Sequence, residues 1–292
     1  MDSSPWKIMW REIYNDKLAF IALVLFVATV LTIYIWAPFI NPDIIMRVDR
    51  EMMMNARLPW FTSWQFPLGT DGSGRNMLHM LILASRNSLN IAFVVAISGT
   101  VIGLFVGMLS GFYGGHVDNV LMRFMDFYSM VPVIMMVIML LSLFAPVSIV
   151  TFSLILIFLI GWQGTARLMR TMALKQGVMD YVSASKTMGT PSIVIVFREV
   201  LPNMISIITS NFTITLASFV GIETGLAFLG LGLPFNVPSL GMLVANARIP
   251  FDMQNRMWLW LPAALLIVVM MLCINFVGQA LNRAADAKKR TV

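Results

Sequence analysis

Charge is scarce in this sequence, and the scarcity excludes a soluble domain. Asp, Glu, Lys and Arg make up 12% of the 292 residues, whereas a soluble domain averages about 25%. Five stretches contain none of these four residue types: Leu18–Trp36, Ser88–Tyr113, Phe127–Ala166, Val200–Ile222 and Met257–Asn282. A helix crosses a hydrocarbon core of about 30 Å with about 20 apolar residues, so the third stretch is two spans long and the others are one. With a turn expected around 144–148, we predict an all-α integral membrane protein with six transmembrane helices.

Cysteine and the common catalytic motifs are nearly missing as well. Cys273 is alone, so it can form no internal disulfide, and it is expected to be a packing residue in the last helix. The sequence has no Gly-Lys pair for a phosphate-binding loop, no HExxH and no GxSxG, and its two histidines lie in or beside loops. We therefore expect no enzyme activity, no metal site and no cofactor in this chain.

The centres of the predicted spans lack ionisable residues. Ion-coupled transporters commonly hold such residues at membrane depth. Here Asp126, Arg167 and Glu223 fall at the margins of the spans, where an interfacial position is expected. Nothing in the sequence supplies energy for transport, so the protein could receive its motion from a partner.

The basic residues predict the orientation of the spans. With a cytoplasmic N-terminus, thirteen Lys and Arg residues fall on the inner side and seven on the outer side. Because cytoplasmic loops carry an excess of Lys and Arg, both termini are predicted inside. The net charge of +6 is then a topology feature, helped by anionic lipid, and because the basic residues form no single stripe we expect no nucleic-acid partner.

The spans and loops divide the chain into segments. We predict a cytoplasmic leader (1–17), a first transmembrane helix (18–38), an outer loop (39–87), a five-helix core (88–282) and a cytoplasmic tail (283–292). The core contains a cytoplasmic segment (171–202) and an outer loop (223–256). That outer loop is too apolar for a solvated loop and too broken by Gly and Pro for a simple helix, which places it near a pathway or a partner interface.

A polar stretch, DYVSASKTMGTPSIVIVFREVLPN, begins at Asp180 between the fourth and fifth helices. Asp180 can be the N-cap of a short helix over 181–188, and Gly189 suits the left-handed position that ends such a helix. Thr190 can then cap a second helix that has Pro191 at its first position. We predict two short helices that meet at a sharp elbow on the cytoplasmic side.

Further features of the elbow indicate a docking surface. Leu201 and Pro202 predict a break before the fifth span. Apolar side chains can cluster on part of the first short helix and leave a surface able to dock elsewhere: Tyr181, Val182, Ala184 and Met188.

Four glycines share one face of the second span, because they recur every fourth residue: Gly99, Gly103, Gly107 and Gly111. A face without side chains lets another helix approach closely. Static packing within the bundle is the interpretation we favour, and a pivot surface between moving subunits is the other.

Several motifs, in the right order, resemble one family: the inner-membrane permease subunits of ABC importers for peptides and nickel, of the oligopeptide/dipeptide permease C type. Its cytoplasmic motif has EAA, three residues, Gly, about nine residues and then Leu-Pro. Ser183-Ala184-Ser185 takes the EAA position, with Ser for the Glu and for the second Ala, and Gly189 and Leu201-Pro202 match the rest. The other similar segments are LGTDGSGRN (68–76), SGFYGGHVDNVLMRFMDFYSMVP (110–132), GWQGTARLMR (161–170), FLGLG (228–232) and PSLGMLVANAR (238–248). Two positions depart from the family, which often has Asp at Asn76 and Trp at Leu240.

The resemblance implies a type I ABC importer fold with a coupling helix in the elbow between helices 4 and 5. The chain would be half of the path in a bacterial inner (plasma) membrane, paired with a second homologous permease subunit. Two cytoplasmic ATPase subunits, which hold ATP and Mg, would dock at the elbow, and an extracytoplasmic solute-binding protein would deliver the substrate, most commonly a peptide. The residues implied in ATPase coupling are Asp180, Ser183, Ala184, Ser185, Gly189, Pro191, Arg198, Leu201 and Pro202.

Two other classes of function stay open at this point. A self-sufficient secondary transporter or channel for a small solute would move it down a gradient without partners. A membrane scaffold or an intramembrane enzyme would not transport at all, and an enzyme would need polar residues that converge within the spans.

Overall fold

All regular structure in the computed structural model is helical over the residues that it describes, which are 5–47, 50–144, 147–234 and 236–290. The predicted all-α fold is thereby confirmed. Parts of five predicted segments lie outside the described residues: 1–4 of the leader, 48–49 of the first outer loop, 145–146 of the turn between the third and fourth spans, 235 of the second outer loop, and 291–292 of the tail.

Fifteen α-helices follow one another in the described part of the chain. They are α1 (Pro5–Asn15), α2 (Lys17–Trp36), α3 (Pro42–Met46), α4 (Arg50–Met54), α5 (Met77–Tyr113), α6 (Gly115–Ser129), α7 (Val133–Leu143), α8 (Ile149–Leu156), α9 (Gln163–Gly177), α10 (Asp180–Thr187), α11 (Ser192–Ile195), α12 (Leu201–Phe228), α13 (Leu240–Ala245), α14 (Pro250–Asn255) and α15 (Leu261–Arg290). Two π-helical turns join helices, Ile157–Gly161 after α8 and Val196–Val200 between α11 and α12.

The helices provide six candidate membrane spans. Four are single helices long and apolar enough to cross a bilayer: Lys17–Phe39, Met77–Tyr113, Ser192–Phe228 and Leu261–Ala284. Two more are bent pairs, α6 with α7 at 75° and Ile149–Gly161 with α9 at 40°. Counted as one span each, the bent pairs bring the number to the six that the sequence predicts. The residue before α7 is Pro132, and the second bend follows a π-turn, two features that commonly interrupt helices.

The helices extend past three predicted boundaries, because an uncharged run is not the same thing as a helix. The second span begins at Met77 instead of Ser88, since the side chain of Asn76 accepts a hydrogen bond from the Leu78 N–H at 2.9 Å and caps the helix there. Arg86, which ended the uncharged run, is an ordinary helical residue of α5. Likewise, α12 continues to Phe228 into the predicted outer loop 223–256, and α15 continues to Arg290 through the predicted tail.

The glycine face of α5 packs directly on α9 and the π-turn before it. A methyl group on Gly99 would lie 2.1 Å from the carbonyl oxygen of Gly161, and one on Gly103 would lie 2.6 Å from that of Trp162. The remaining glycines of the face, Gly107 and Gly111, approach the backbone of α9 equally closely. The two backbones are therefore in van der Waals contact, which only residues without a side chain permit.

The pairing of α5 with α9 also orients the bundle. Gly111, near the end of α5, meets the Arg170 carbonyl on α9, so α5 ends beside the segment that follows α9. Met77 at the start of α5 and Phe228 at the end of α12 consequently lie at the opposite end of the bundle, which we call the far end.

Glu223 lies buried inside the protein near the far end. Its side chain has no exposed area, and one carboxyl oxygen accepts a hydrogen bond from the Ser88 hydroxyl at 3.0 Å. The same hydroxyl oxygen accepts the Leu240 N–H at 2.9 Å, so Glu223 of α12, Ser88 of α5 and the start of α13 meet in one polar cluster. Glu223 is therefore covered by segments distant in sequence, which its place at the margin of an uncharged run did not reveal. Asp126 and Arg167, by contrast, form an exposed ion pair with a distance of 3.1 Å between Arg167 Nη2 and Asp126 Oδ1.

The N-terminal helix α1 packs against α15 and covers Cys273, which is a residue of α15. Met9 and Ile13 share a buried cluster with Cys273 and Ala280. Cys273 is therefore a packing residue, as predicted.

Candidate functional site

The elbow predicted between the fourth and fifth spans comprises α10, α11 and the turn between them. Gly189 has φ +80°, the left-handed conformation that the sequence predicts for it. The N–H of Gly189 donates to the Lys186 carbonyl at 3.0 Å, and the N–H of Thr190 donates to the Ser185 carbonyl at 3.0 Å. This pair of bonds is the Schellman arrangement, in which a left-handed residue satisfies the last carbonyls of a helix. The elbow is thus an ordered turn rather than a loose loop.

Both predicted N-caps are displaced by one residue. The residue before α10 is Met179, in an extended conformation, and Val182 and Ser183 donate their N–H groups to its carbonyl at 3.0 Å. Asp180 is therefore the first helical residue, exposed, where its negative charge faces the positive end of the helix. Thr190 does not cap α11: the residue before that helix is Pro191, which has no side chain able to accept a hydrogen bond.

The break predicted at Leu201 and Pro202 is absent. The N–H of Leu201 donates to the carbonyl of Val196, five residues back, so the helix widens into a π-turn just before the proline. Proline has no N–H and its ring crowds the preceding turn, and a wider turn accommodates both defects. The second arm of the elbow is consequently continuous with the fifth span, from Ser192 to Phe228.

One face of the elbow is buried against the bundle. Val182 has no exposed area and Ser185 has 6% of its area exposed, and Val182 joins a cluster with Ile195, Val200 and Met169. Tyr181 packs on the same cluster, so the predicted apolar cluster is divided between two faces.

The opposite face of the elbow is open. Met188 has 76% of its area exposed, and the other exposed residues of this face are Ser183, Ala184, Pro191 and Arg198. Leu201 and Pro202 are half-buried where the arm enters the span. The residues implied in ATPase coupling therefore fall into three groups. Most are exposed, Leu201 and Pro202 are half-buried, and Ser185 is buried against the bundle.

Ser185 joins the two arms of the elbow. Its hydroxyl donates to Glu199 Oε1 at 2.6 Å, across fourteen residues of sequence. The other carboxyl oxygen of Glu199 is buried and has no hydrogen-bond partner within the described residues. Sequence reasoning missed Glu199, although a Glu in an otherwise apolar run, IVIVFREV, is a signal that could have found it.

Two further contacts hold α10 against its neighbours. The Tyr181 hydroxyl donates to Gln176 Oε1 at 2.5 Å, and burial raises the pKa of Tyr181, so this donor keeps its proton at neutral pH. The Lys186 ammonium lies 5.1 Å from the centre of the Phe112 ring at the end of α5, a distance that suits a cation–π contact. The elbow is thereby fastened to both α5 and α9.

The arrangement offers a surface for contact and no chemistry of bond change. Among the described residues, no three His, Cys, Asp or Glu side chains come together in a way that could hold a metal ion. The elbow instead combines a buried face, an exposed face and rigid connections to the spans, which suits the transmission of movement.

Comparison with known proteins identifies relatives along the whole chain. A family model described as "Binding-protein-dependent transport system inner membrane component" matches residues 77–291, and one described as "N-terminal TM domain of oligopeptide transport permease C" matches residues 4–57. The chain is 38% identical over 282 residues to the oligopeptide transport system permease protein OppC of Lactococcus lactis subsp. cremoris, which covers 96% of this chain and 94% of the relative. It is 31% identical over 285 residues to the dipeptide transport system permease protein DppC of Bacillus subtilis, with 96% and 85% covered.

A solved structure shares the fold. An inward-facing crystal form of the MetNI methionine ABC transporter contains a chain that matches with a TM-score of 0.54 and 20% identity, over 72% of this chain and 97% of that one. At that identity the likeness shows the fold alone, which is the predicted fold of an ABC importer permease.

Proposed function

Because the chain belongs to the family of binding-protein-dependent transport system inner membrane components, we propose that it carries oligopeptides into the cell as one half of an ATP-driven membrane path. It is a non-catalytic permease subunit of an ABC transporter and a membrane protein. The names of its relatives support oligopeptides or dipeptides as the substrate class.

The proposed assembly has partners on both sides of the membrane. Two ATPase chains, which bind ATP and Mg, dock at the exposed face of the elbow, and a second homologous permease completes the path. A solute-binding protein delivers the peptide at the far end. The excess of Lys and Arg on the elbow side supports a bacterial plasma membrane location with both termini cytoplasmic.

The proposed mechanism transmits movement through the elbow. When ATP closes the pair of ATPases, the exposed face formed by Ser183, Ala184 and Met188 moves with them. The buried face, with Val182 and the bond from Ser185 to Glu199, carries that displacement into the bundle. Gly189 permits the turn, Pro191 stiffens it, and Arg198 offers a charged contact to the ATPase.

The observation that carries this proposal is the exposed apolar surface on an otherwise fixed segment. Met188 has 76% of its area exposed at the tip of the elbow, beside an ordered turn. A partner that buries such a rigid surface pays little conformational entropy on binding.

The test introduces a charge at the tip. We expect Met188→Arg to remove the ATPases from the transporter when the complex is purified in mild detergent, while the second permease is retained. Burial of an unpaired charge in a partner interface costs several kcal/mol, about enough to abolish a micromolar contact. The measurement is the ratio of ATPase to permease by mass spectrometry.

Met54→Arg is the matched control, because Met54 is equally exposed, at 87%, and lies near the far end. It should leave the ratio unchanged. Retention of the ATPases by Met188→Arg would remove the elbow tip from the contact.

A further inference from the structure

A cavity of about 950 Å³ opens at the far end, remote from the elbow. Its walls come from the segment 57–75 before α5 and the segment 230–256 after α12. The start of α5 and the end of α7 form its floor. Nothing in the coupling mechanism uses this cavity.

The cavity is lined by more positive than negative charge. Two aspartates and four arginines line it: Asp71, Asp252, Arg57, Arg75, Arg248 and Arg256. The Arg256 guanidinium donates to Asp252 at 2.7 Å, and among these six side chains this is the one ion pair at hydrogen-bond distance. Two positive charges are thus left in excess.

One guanidinium donor in the cavity is buried without a hydrogen-bond partner in the described part of the chain, and two of the arginines form no ion pair there. Asp71 uses Oδ1 to accept the N–H groups of Ser73 and Arg75 at 2.8 Å, and its other oxygen lies 4.0 Å from Arg75 Nε, too far for a hydrogen bond. Arg75 Nε is buried without a hydrogen-bond partner. Within the described ranges, neither Arg57 nor Arg248 forms an ion pair. A buried donor without an acceptor costs free energy, and an anionic ligand would satisfy it.

The backbone of Arg57 is held by hydrogen bonds to the neighbouring segment. Arg57 has φ +64°, a strained conformation for a residue with a side chain, and its N–H donates to the Asp71 carbonyl at 2.9 Å. Thr70 accepts the Leu58 N–H at 2.9 Å through its hydroxyl and the buried Trp258 indole N–H at 3.0 Å through its carbonyl. Strain that the surrounding bonds maintain is common where a side chain must be aimed at a ligand.

The floor of the cavity is apolar. Met77 and Met80 of α5 lie there with 3% and 2% of their surface area exposed. Leu243 and Leu259 line the wall beside them. A cationic rim above an apolar floor fits a ligand that carries both an anionic group and hydrophobic side chains. An inorganic anion would leave the floor unused.

We propose that this cavity is a binding site for the carboxylate end of the transported peptide, with Arg57 and Arg248 as its ligands. Guanidinium groups bind carboxylates through paired, charge-assisted hydrogen bonds, and the apolar floor accommodates the adjoining side chains. This inference rests on the proposed function and adds a site for the peptide within this chain.

The experiment compares a peptide with its C-terminal amide, which lacks the negative charge. The complete transporter is reconstituted in phosphatidylcholine vesicles, which keep anionic lipid headgroups out of the cavity, with saturating binding protein. The double variant Arg57→Ala/Arg248→Ala should lower uptake of the free-acid peptide about tenfold relative to the parent, because charge-assisted bonds are lost. The same double variant should take up the amidated peptide at a rate within twofold of the parent. The variant Arg57→Lys/Arg248→Lys should retain most of the free-acid uptake, because it keeps both positive charges.

Arg47→Ala is the matched control, since Arg47 is an exposed arginine of the same outer region and does not line the cavity. Equal loss for both peptides would overturn the inference and assign the arginines to a partner contact. Unchanged uptake of both would show that the peptide does not bind there. If the parent transports neither peptide, the proposed function itself fails, an outcome separate from these two.

Discussion

Gly189 is the residue on which the shape of the elbow depends. Its φ of +80° closes α10 in a Schellman turn, and no other atom lies within 4 Å of the position that a Cβ would take. A side chain at this position would therefore meet no neighbour, and its whole cost would come from the backbone. For a residue other than glycine the left-handed conformation costs about 1–2 kcal/mol.

We expect Gly189→Val to lower ATP-driven uptake while the protein still inserts into the membrane. Valine destabilises the turn that sets the position of α10 relative to the helix Ser192–Phe228, and the apolar helices can insert without that turn. Uptake by membrane vesicles, normalised to the amount of inserted permease, measures the effect. Gly189→Asn should recover much of the uptake, because asparagine tolerates the left-handed conformation.

Gly177→Val serves as the control for this prediction. Gly177 is the last residue of α9, likewise with no atom within 4 Å of a Cβ, but its backbone is right-handed. It should transport normally. Equal uptake by the variants at both positions would mean that the turn has no part in coupling.

At the scale of elements, the contact between α5 and α9 determines where the elbow lies. Four glycines bring the two backbones together from Gly99 to Gly111, and the elbow follows directly from the end of α9. Because close-packed interiors tolerate little added volume, this contact fixes the height and direction of α9 relative to α5. The elbow inherits its position from that pairing.

We predict that Gly103→Ala destabilises the permease by about 1–3 kcal/mol, the usual cost of an overpacked contact. The added methyl would lie 2.6 Å from the Trp162 carbonyl oxygen and 2.7 Å from the Thr165 Cβ, so α9 must shift. The midpoint of thermal unfolding in detergent measures the loss.

Gly164→Ala is the paired control on α9 itself. No atom lies within 4 Å of a Cβ there, and alanine favours a helix more than glycine, so stability should stay equal or rise slightly. A Gly103→Ala protein as stable as the parent would contradict the tight contact.

The sequence predicts the elements of this protein better than their ends. Uncharged runs locate the four single-helix candidate spans and the two bent pairs, because burial in lipid requires such runs whatever the tertiary packing. The start of α5 was missed because a helix continues through Arg86 without difficulty. The break predicted at Pro202 is absent because a π-turn accommodates the proline. Local sequence alone does not reveal either solution.

Only the part of the candidate site that depends on local sequence could be predicted. Gly189 marks the turn, since its conformational need is local. The bond between Ser185 and Glu199, and the burial of Glu223 against Ser88, arise from segments that meet only in the folded chain. The charged lining of the far-end cavity likewise joins two separate segments, so single-sequence patterns could not assemble it.

At the scale of the whole molecule, the sequence lacks the Gly-Lys pair of a phosphate-binding loop, and among the described residues no three His, Cys, Asp or Glu side chains could hold a metal ion. We therefore expect the purified chain, reconstituted alone, to accumulate no peptide under an imposed proton or sodium gradient. Addition of the partner chains and ATP should restore accumulation. Radiolabelled peptide uptake measures both states, and gradient-driven accumulation by the lone chain would instead identify a secondary transporter.

The unbroken helix from Ser192 to Phe228 has one more consequence. Its 37 residues form a lever about 55 Å long, with the elbow at one end and, at the other, Glu223 and the Ala227 wall of the cavity. Because the helix is stiff, a tilt that the proposed ATPases impose at the elbow would also move the arginine-lined cavity at the far end. Substitutions in the cavity that change which peptide binds would therefore also change how strongly the helix resists movement at the elbow.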